Sequence, residues 1–288
     1  MSRLALGTVQ FGLNYGVSNI AGKVKKSLVK EMLKLATDNK IDLIDTAIGY
    51  GDSEKILGLN KIDNFNIISK IPPLNKSLDL HEWSLNQIQG SLLRLNKESL
   101  YGLLFHNPND LLSSSGQRLY ESIVRHKNNG LVQKIGISIY SPEQLEKILC
   151  NFDFDIVQSP LNIIDRRLAD SGWLSKLNKL NIEVHIRSVF LQGLLLKERK
   201  LIPKKFKRWD SIWRNWEVYI KQNNINPIEL CLSYPLKFSE VNKVIVGAQN
   251  LIQLNDIISA YSFAKFKDFP NIQSYDNDLI NPSNWKNL

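Results

Sequence analysis

Eight short runs rich in β-branched and large apolar residues recur along this chain, and a helical pattern follows each of them. The predicted strands are Arg3–Val9, Leu43–Thr46, Asn66–Ile71, Leu100–Phe105, Lys134–Ile139, Asp155–Ser159, Glu183–Val189 and Lys243–Val246. Parallel strands need such alternation, because each must be carried back to the start of the next by a crossover, usually a helix. Eight units in about 250 residues is the arithmetic of a (β/α)8 TIM barrel. An open doubly wound sheet is the competing arrangement, but Gly7 and Gly12 do not have the spacing of its glycine-rich fingerprint. The chain therefore reads as one α/β domain: a barrel over residues 1–265 and a polar, turn-rich tail, 266–288, expected to fold over the barrel mouth. Four helix starts are legible. Ser27 is placed to cap a stripe of Leu28, Met32, Leu35 and Ala36, and Ser141-Pro142-Glu143-Gln144 has the form of a capping box. Asn226-Pro227 and Asn250 open two more.

Three of the predicted strands end on groups that rarely stand in an apolar run. Asp45 closes the second, Lys70 the third, and His106 follows the fourth, with Tyr50 five residues past Asp45. An unpaired buried charge costs several kcal/mol, so Asp and Lys at such positions are expected to pair. In a barrel the strand ends meet at one face, where the site lies. The chemistry that suits this set is proton donation from a phenol. A free tyrosine titrates near about 10, and a neighbouring ammonium lowers that value. Lys70 is expected to act on Tyr50 in this way, with Asp45 holding Lys70 charged and His106 orienting a substrate oxygen.

Composition narrows the classes. The chain of 288 residues is 43% hydrophobic and 23% charged, as in an ordinary globular protein. It has no apolar run of the roughly eighteen residues that a membrane span needs. Met1-Ser2-Arg3-Leu4 leads straight into a strand, and Cys150 and Cys231 stand alone without metal-ligand spacing. A cytoplasmic protein with no metal and no membrane partner is expected. The net charge of +9 reads first as a generally basic surface. Its densest stretch, Lys197 to Arg208 (KERKLIPKKFKR), is either a solvated loop or a clamp on an anion. Trp209, Trp213 and Trp216 follow it at near-helical spacing and read as a packing stripe. No nucleic-acid fold accompanies these residues, and no nucleic-acid partner is expected. His81, His126 and His185 lie outside any motif and read as structural or exposed.

The ordered motifs resemble those of the aldo-keto reductases. Asp45-Thr46-Ala47, Tyr50-Gly51 and Ser53-Glu54 are similar to the family's signature, and Gly7-Thr8, Ile68-Ser69-Lys70 and Phe105-His106-Asn107 to its other site motifs. Gly136-Ile137-Ser138, Val157-Gln158 with Asp165-Arg166, and Ile245-Val246-Gly247-Ala248 resemble its later cofactor motifs, so the likeness runs from residue 3 to about 260. It implies NADPH-dependent reduction of a carbonyl compound, NADH being the alternative cofactor. Tyr50 would be the general acid, tuned by Asp45 and Lys70, with His106 positioning the carbonyl. Ser138 and Gln158 would contact the nicotinamide carboxamide, and Arg187 and Ser188 the ring face and pyrophosphate. Gly7 and Thr8 would border the cofactor, and the loop carrying Gly247, Gln249 and Gln253 would hold its adenosine end.

The chain also departs from the family pattern, which suggests an outlying bacterial-type subgroup. Ser138 is followed by Ile139 where the family has Asn, Arg187 stands where an aromatic residue is expected, and Gln249 and Gln253 replace the cation expected at the 2′-phosphate. The substrate is expected to be a small carbonyl compound, anionic or sugar-like, chosen by the loops after strands one, three and four and by the tail. Two other readings stay open: a non-catalytic nucleotide-binding redox sensor, and a sugar or nucleotide-sugar dehydrogenase. Oligomeric state is not legible.

Overall fold

A computed structural model describes residues 2–74 and 79–288. Its strands are β1 (Leu4–Gly7), β2 (Leu43–Asp45), β3 (Asn66–Ile71), β4 (Leu100–Phe105), β5 (Val132–Ser138), β6 (Ile156–Pro160), β7 (Glu183–Arg187) and β8 (Val241–Gly247). They close in chain order into a barrel in which every neighbouring pair is parallel. Strands β3 and β4 have the predicted bounds, and the others differ by one or two residues at an end.

A layer of apolar side chains fills the barrel interior: Ala5, Leu43, Ile68, Leu104, Ile156 and Ile245. Side chains on a strand alternate between faces, so the residue two places on points the same way. Those residues are Gly7, Asp45, Lys70, His106, Gln158 and Gly247. The apolar layer is thus the floor on which the functional residues stand. Gly136 is required for it, because a Cβ there would lie 2.3 Å from Leu104 Cδ2 and 2.6 Å from the Ile156 carbonyl oxygen.

A polar layer closes the opposite end. Glu183 accepts from Tyr101 Oη at 2.8 Å, pairs with Lys134, and lies 3.2 Å from His185 Nε2. Burial alone would raise the Glu183 carboxyl; hydrogen bonds from His185, Lys134 and Tyr101 outweigh it and hold the pKa at about 2. His185 is therefore structural, as expected.

Around the barrel, helices bury one stripe each. Val29, Met32, Leu33 and Ala36 form that of Lys26–Asp38. That helix starts at Lys26 with Lys25 at its cap, so Ser27 lies inside the first turn and does not cap it. At the helix Glu143–Ile148, Gln144 Oε1 accepts from the Tyr140 and Ser141 amides at 2.8 and 3.2 Å, the returning arm of a capping box, but Pro142 and not Ser141 stands at the cap and no side chain caps the helix. Asn226 and Asn250 cap Pro227–Leu236 and Leu251–Phe263 as expected. No helix among the described residues is long and apolar enough to cross a membrane.

The tail packs on the loops after β6 and β7. The Ser274 amide donates to the Ile164 carbonyl at 2.9 Å, and Arg166 Nη2 to the Pro270 carbonyl at 2.6 Å. Trp285 is buried, its ring 4.8 Å from that of Phe206, and Tyr275 is exposed with its hydroxyl donating to Asp170. Neither is among the residues that line the cleft at the strand ends. The basic run divides its charges: Arg208 pairs with Asp278 at 2.7 Å, Arg199 with Asp210 at 2.5 Å, and Lys205 donates to the Trp285 carbonyl at 2.5 Å. Trp209, Trp213 and Trp216 are buried and pin this segment, Trp213 Nε1 donating to the Phe206 carbonyl and Trp216 Nε1 to the Leu195 carbonyl. The stripe packs, as predicted. Trp285→Ala should therefore destabilise the fold by about 3–5 kcal/mol in urea unfolding; a loss under about 1 kcal/mol would mean the tail contributes little to the core.

Candidate active site

Asp45 and Lys70 face each other across β2 and β3 at the top of the apolar floor, 4% and 1% exposed. Lys70 Nζ donates to Asp45 Oδ1 at 2.7 Å, Asp45 Oδ2 at 2.8 Å and the Thr46 carbonyl at 2.9 Å. An ammonium has three donors, and all three are matched here. Gln158 Nε2 donates to Asp45 Oδ2 at 2.7 Å, so β6 joins the same network. Burial holds the Lys70 pKa below its ordinary value, and the Asp45 carboxylate opposes that directly.

Tyr50 lies on the turn after β2. Its carbonyl accepts from the Ser53 amide at 3.1 Å, and Gly51, at φ 55°, turns the chain back in the left-handed region that glycine tolerates. The β1 loop packs directly on this turn: a Cβ on Gly12 would lie 1.7 Å from the Tyr50 carbonyl oxygen. Beneath it Ser53 Oγ lies 2.9 Å from Thr8 Oγ1 and 3.1 Å from Thr46 Oγ1, and Thr8 Oγ1 donates to the Asp45 carbonyl at 3.0 Å. These three buried hydroxyls join the ends of β1 and β2 to the Tyr50 turn. Glu54, 1% exposed, fastens the next residue by accepting from Ser69 and Ser91, each at 2.6 Å, and pairing with Arg94.

The Tyr50 ring centroid is 5.1 Å from Lys70 Nζ and 5.8 Å from the His106 ring, which meets it edge-on. The four residues singled out in the sequence therefore converge. One expectation is corrected. Burial and the Asp45 charge push the Tyr50 phenol above its ordinary value, and the charge that pulls it down is that of Arg187. Lys70 is too closely matched by Asp45 to lower the phenol by itself. The protonated phenol is the form a general acid needs. Burial, then the charge of Lys70, lowers His106 to about 4, so its imidazole is neutral at pH 7.

A cleft of about 470 Å³ opens from this cluster, within the range of ligand sites. It is lined by every residue placed there from sequence: Gly7, Thr8, Asp45, Tyr50, Lys70, His106, Ser138, Gln158, Arg187, Ser188, Gly247, Gln249 and Gln253. No residue of the tail is among the described residues lining it. Of the loops expected to choose the substrate, the one after β3 lies in part, 75–78, outside the described residues.

The structure adds lining residues that the sequence reading missed: Gln10, Tyr15, Ser18, Tyr140, Gln192 and Asp256. Tyr140 lies two residues past Ser138, a spacing that could have found it. Gln192 joins the loops after β1 and β7, its Nε2 donating to Tyr15 Oη and its Oε1 accepting from the Val17 amide, both at 3.0 Å. Ser188, Leu191 and Gln192 have φ of 61°, 45° and 52°, a concentration of left-handed backbone in the β7 loop of the kind found at ligand clamps.

Closed parallel barrel, buried Asp–Lys pair and converging Tyr and His define the class, and the chain belongs to the Aldo/keto reductase family, whose sequence model matches residues 3–274. Aldo-keto reductase YhdN of Bacillus subtilis (strain 168) is 26% identical over 182 residues, which are 59% of this chain and 53% of that protein. The match thus spans about half the length of that relative. Among solved structures, the aldo-keto reductase PA4992 from Pseudomonas aeruginosa superposes with a TM-score of 0.68 at 23% identity, over 91% of this chain and 90% of that one. The holo form of aldo-keto reductase AKR11C1 from Bacillus halodurans gives 0.71 at 18% identity, over 90% and 86%. These two show the shared fold.

The His106 shift has a sign that can be checked. Between its ordinary 6.5 and about 4, the unfolded chain binds a proton that the native imidazole does not. Native stability should therefore fall as pH drops through this window, and be unaffected by His106 above it. An NMR titration should place the imidazole midpoint near 4; a midpoint at the ordinary value would show an imidazole open to water.

Proposed function

We propose that this protein is an oxidoreductase that reduces an aldehyde or ketone to the alcohol, with Tyr50 as proton donor. The observation that carries the reading is the buried Asp45–Lys70 pair, 2.7 Å apart, set beside a protonated phenol and a neutral imidazole at one end of the cleft. The neutral His106 imidazole donates its one N–H hydrogen bond to orient the carbonyl oxygen. As the carbonyl carbon gains a hydride, its oxygen takes the Tyr50 proton, and the phenolate left behind is stabilised by the nearby charge of Arg187. The alcohol carries both added hydrogens.

The hydride donor that fits is a nicotinamide dinucleotide. Gln10 Oε1 and Ser18 Oγ are buried on the cleft wall without a hydrogen-bond partner, as groups awaiting a polar ligand would be. Gly247 leaves Gln10 clear, since a Cβ there would lie 2.8 Å from Gln10 Oε1. Ser138 and Gln158, buried side by side on β5 and β6, are placed to hold a carboxamide, with Gly7, Thr8 and Ser188 bordering the path between. Gln249, Gln253 and the exposed Asp256 lie at the other end, where the adenosine would rest. When bound, the reduced cofactor supplies the hydride. NADPH is the proposed form, with Lys197 as the cation in reach of the cleft for its extra phosphate.

Tyr50→Phe should abolish most carbonyl reduction while changing NADPH affinity by under about tenfold, or 1.4 kcal/mol. Turnover close to that of the unmodified protein would remove Tyr50 from the role. Lys70→Met should depress turnover as well, because it leaves Asp45 buried and unpaired; the fold is checked by circular dichroism, and normal turnover would separate the pair from the chemistry. Fluorescence titration should show NADPH favoured over NADH by under about tenfold at low salt, the margin shrinking as salt rises. A large preference insensitive to salt would require a buried cation at the adenosine end.

A further inference from the structure

We propose that Arg187 recognises an anion at the carbonyl end of the cleft, and that the substrate is accordingly an oxo acid, a carbonyl compound carrying a carboxylate. The inference rests on Tyr50 and His106 being the carbonyl site.

The charges around the cleft lead to it. Lys70 and Asp45 answer each other at 2.7 Å, while Asp256 is exposed at the far end. Arg187 is partly buried and has no ion-pair partner among the described residues. Its Nη2 donates to the Ile139 carbonyl at 2.8 Å and its Nη1 to Ser188 Oγ at 3.3 Å, both uncharged acceptors. Its guanidinium stacks on the Tyr140 ring at 4.6 Å. These contacts fix the plane of the group and leave three of its five N–H donors for a ligand.

A partly buried guanidinium held in place without a counter-ion offers an arriving carboxylate two parallel hydrogen bonds. The site is close to the reacting groups: the charge of Arg187 opposes the burial that raises the Tyr15 and Tyr50 phenols, and adds to the burial that depresses His106. A short oxo acid held at Arg187 would bring its carbonyl to Tyr50. The anion could instead be the cofactor's pyrophosphate, and the experiment separates the two.

The test compares kcat/KM for 4-oxobutanoate and for butanal, the four-carbon aldehyde without the carboxylate, at saturating NADPH. The oxo acid should be preferred by about tenfold to a hundredfold, the worth of a charge-assisted contact. Arg187→Gln should bring that ratio to within roughly threefold, and Arg187→Lys, which keeps the charge and loses the fork, should give an intermediate ratio. A ratio near one in the unmodified protein overturns the proposal. So does an Arg187→Gln variant that keeps the ratio while NADPH binding, followed by fluorescence, weakens; Arg187 would then belong to the cofactor. Should neither aldehyde be reduced, the carbonyl reading fails, and calorimetry with succinate on the NADPH-loaded protein decides the anion question. Succinate binding that is lost in Arg187→Gln supports an anion site; its absence in the unmodified protein overturns it.

Discussion

The site depends on one ion pair buried at the end of the barrel. Lys70 and Asp45 are too far from water to be charged alone, and each is tolerable because the other stands 2.7 Å away with further hydrogen bonds from Gln158 and to Thr46. The pair locks β2, β3 and β6 in register at their ends. It also adds to the electrostatics around it: burial and then the Asp45 charge keep the phenol of Tyr50 protonated, and burial and then Lys70 keep His106 neutral. A proton donor and an uncharged hydrogen-bonding partner are thereby held side by side.

Precision comes from what lies beneath and beside the pair. The interior apolar layer ends two residues before the functional positions on β1, β2, β3, β4, β6 and β8, so packing below fixes direction above. The Tyr50 turn is held by a different device, the close approach of Gly12 and the hydroxyls of Thr8, Thr46 and Ser53. A side chain on a loop is in this way placed almost as firmly as one on a strand.

The basic segment after β7 shows how a charge run can mislead. Arg199, Lys205 and Arg208 hold the tail and the helix Asp210–Asn223 in place, and Lys197 lines the cleft. Part of the run is therefore structural, and beside Lys197 the cleft holds a second cation with no carboxylate partner among the described residues, Arg187, which no charge run marks. The tail in turn supports the β7 loop and leaves the cleft to the strand ends and the loops after β1, β5, β7 and β8.

The sequence by itself determined the barrel and its four convergent residues, because both depend on short-range periodicity. Strand patterns alternate with helical ones, strand side chains alternate faces every residue, and Asp45, Lys70 and His106 fall at, one residue before and one residue after a strand end. Tertiary structure alone decided what depends on distances between segments far apart in the chain. The tie from Gln192 to Tyr15 spans 177 positions, and that from Gln158 to Asp45 spans 113. Electrostatics belongs there too. Lys70 near Tyr50 suggests a lowered phenol pKa, but burial raises it and Asp45 lies close enough to offset the ammonium, a balance set by ångströms that no spacing along the chain records.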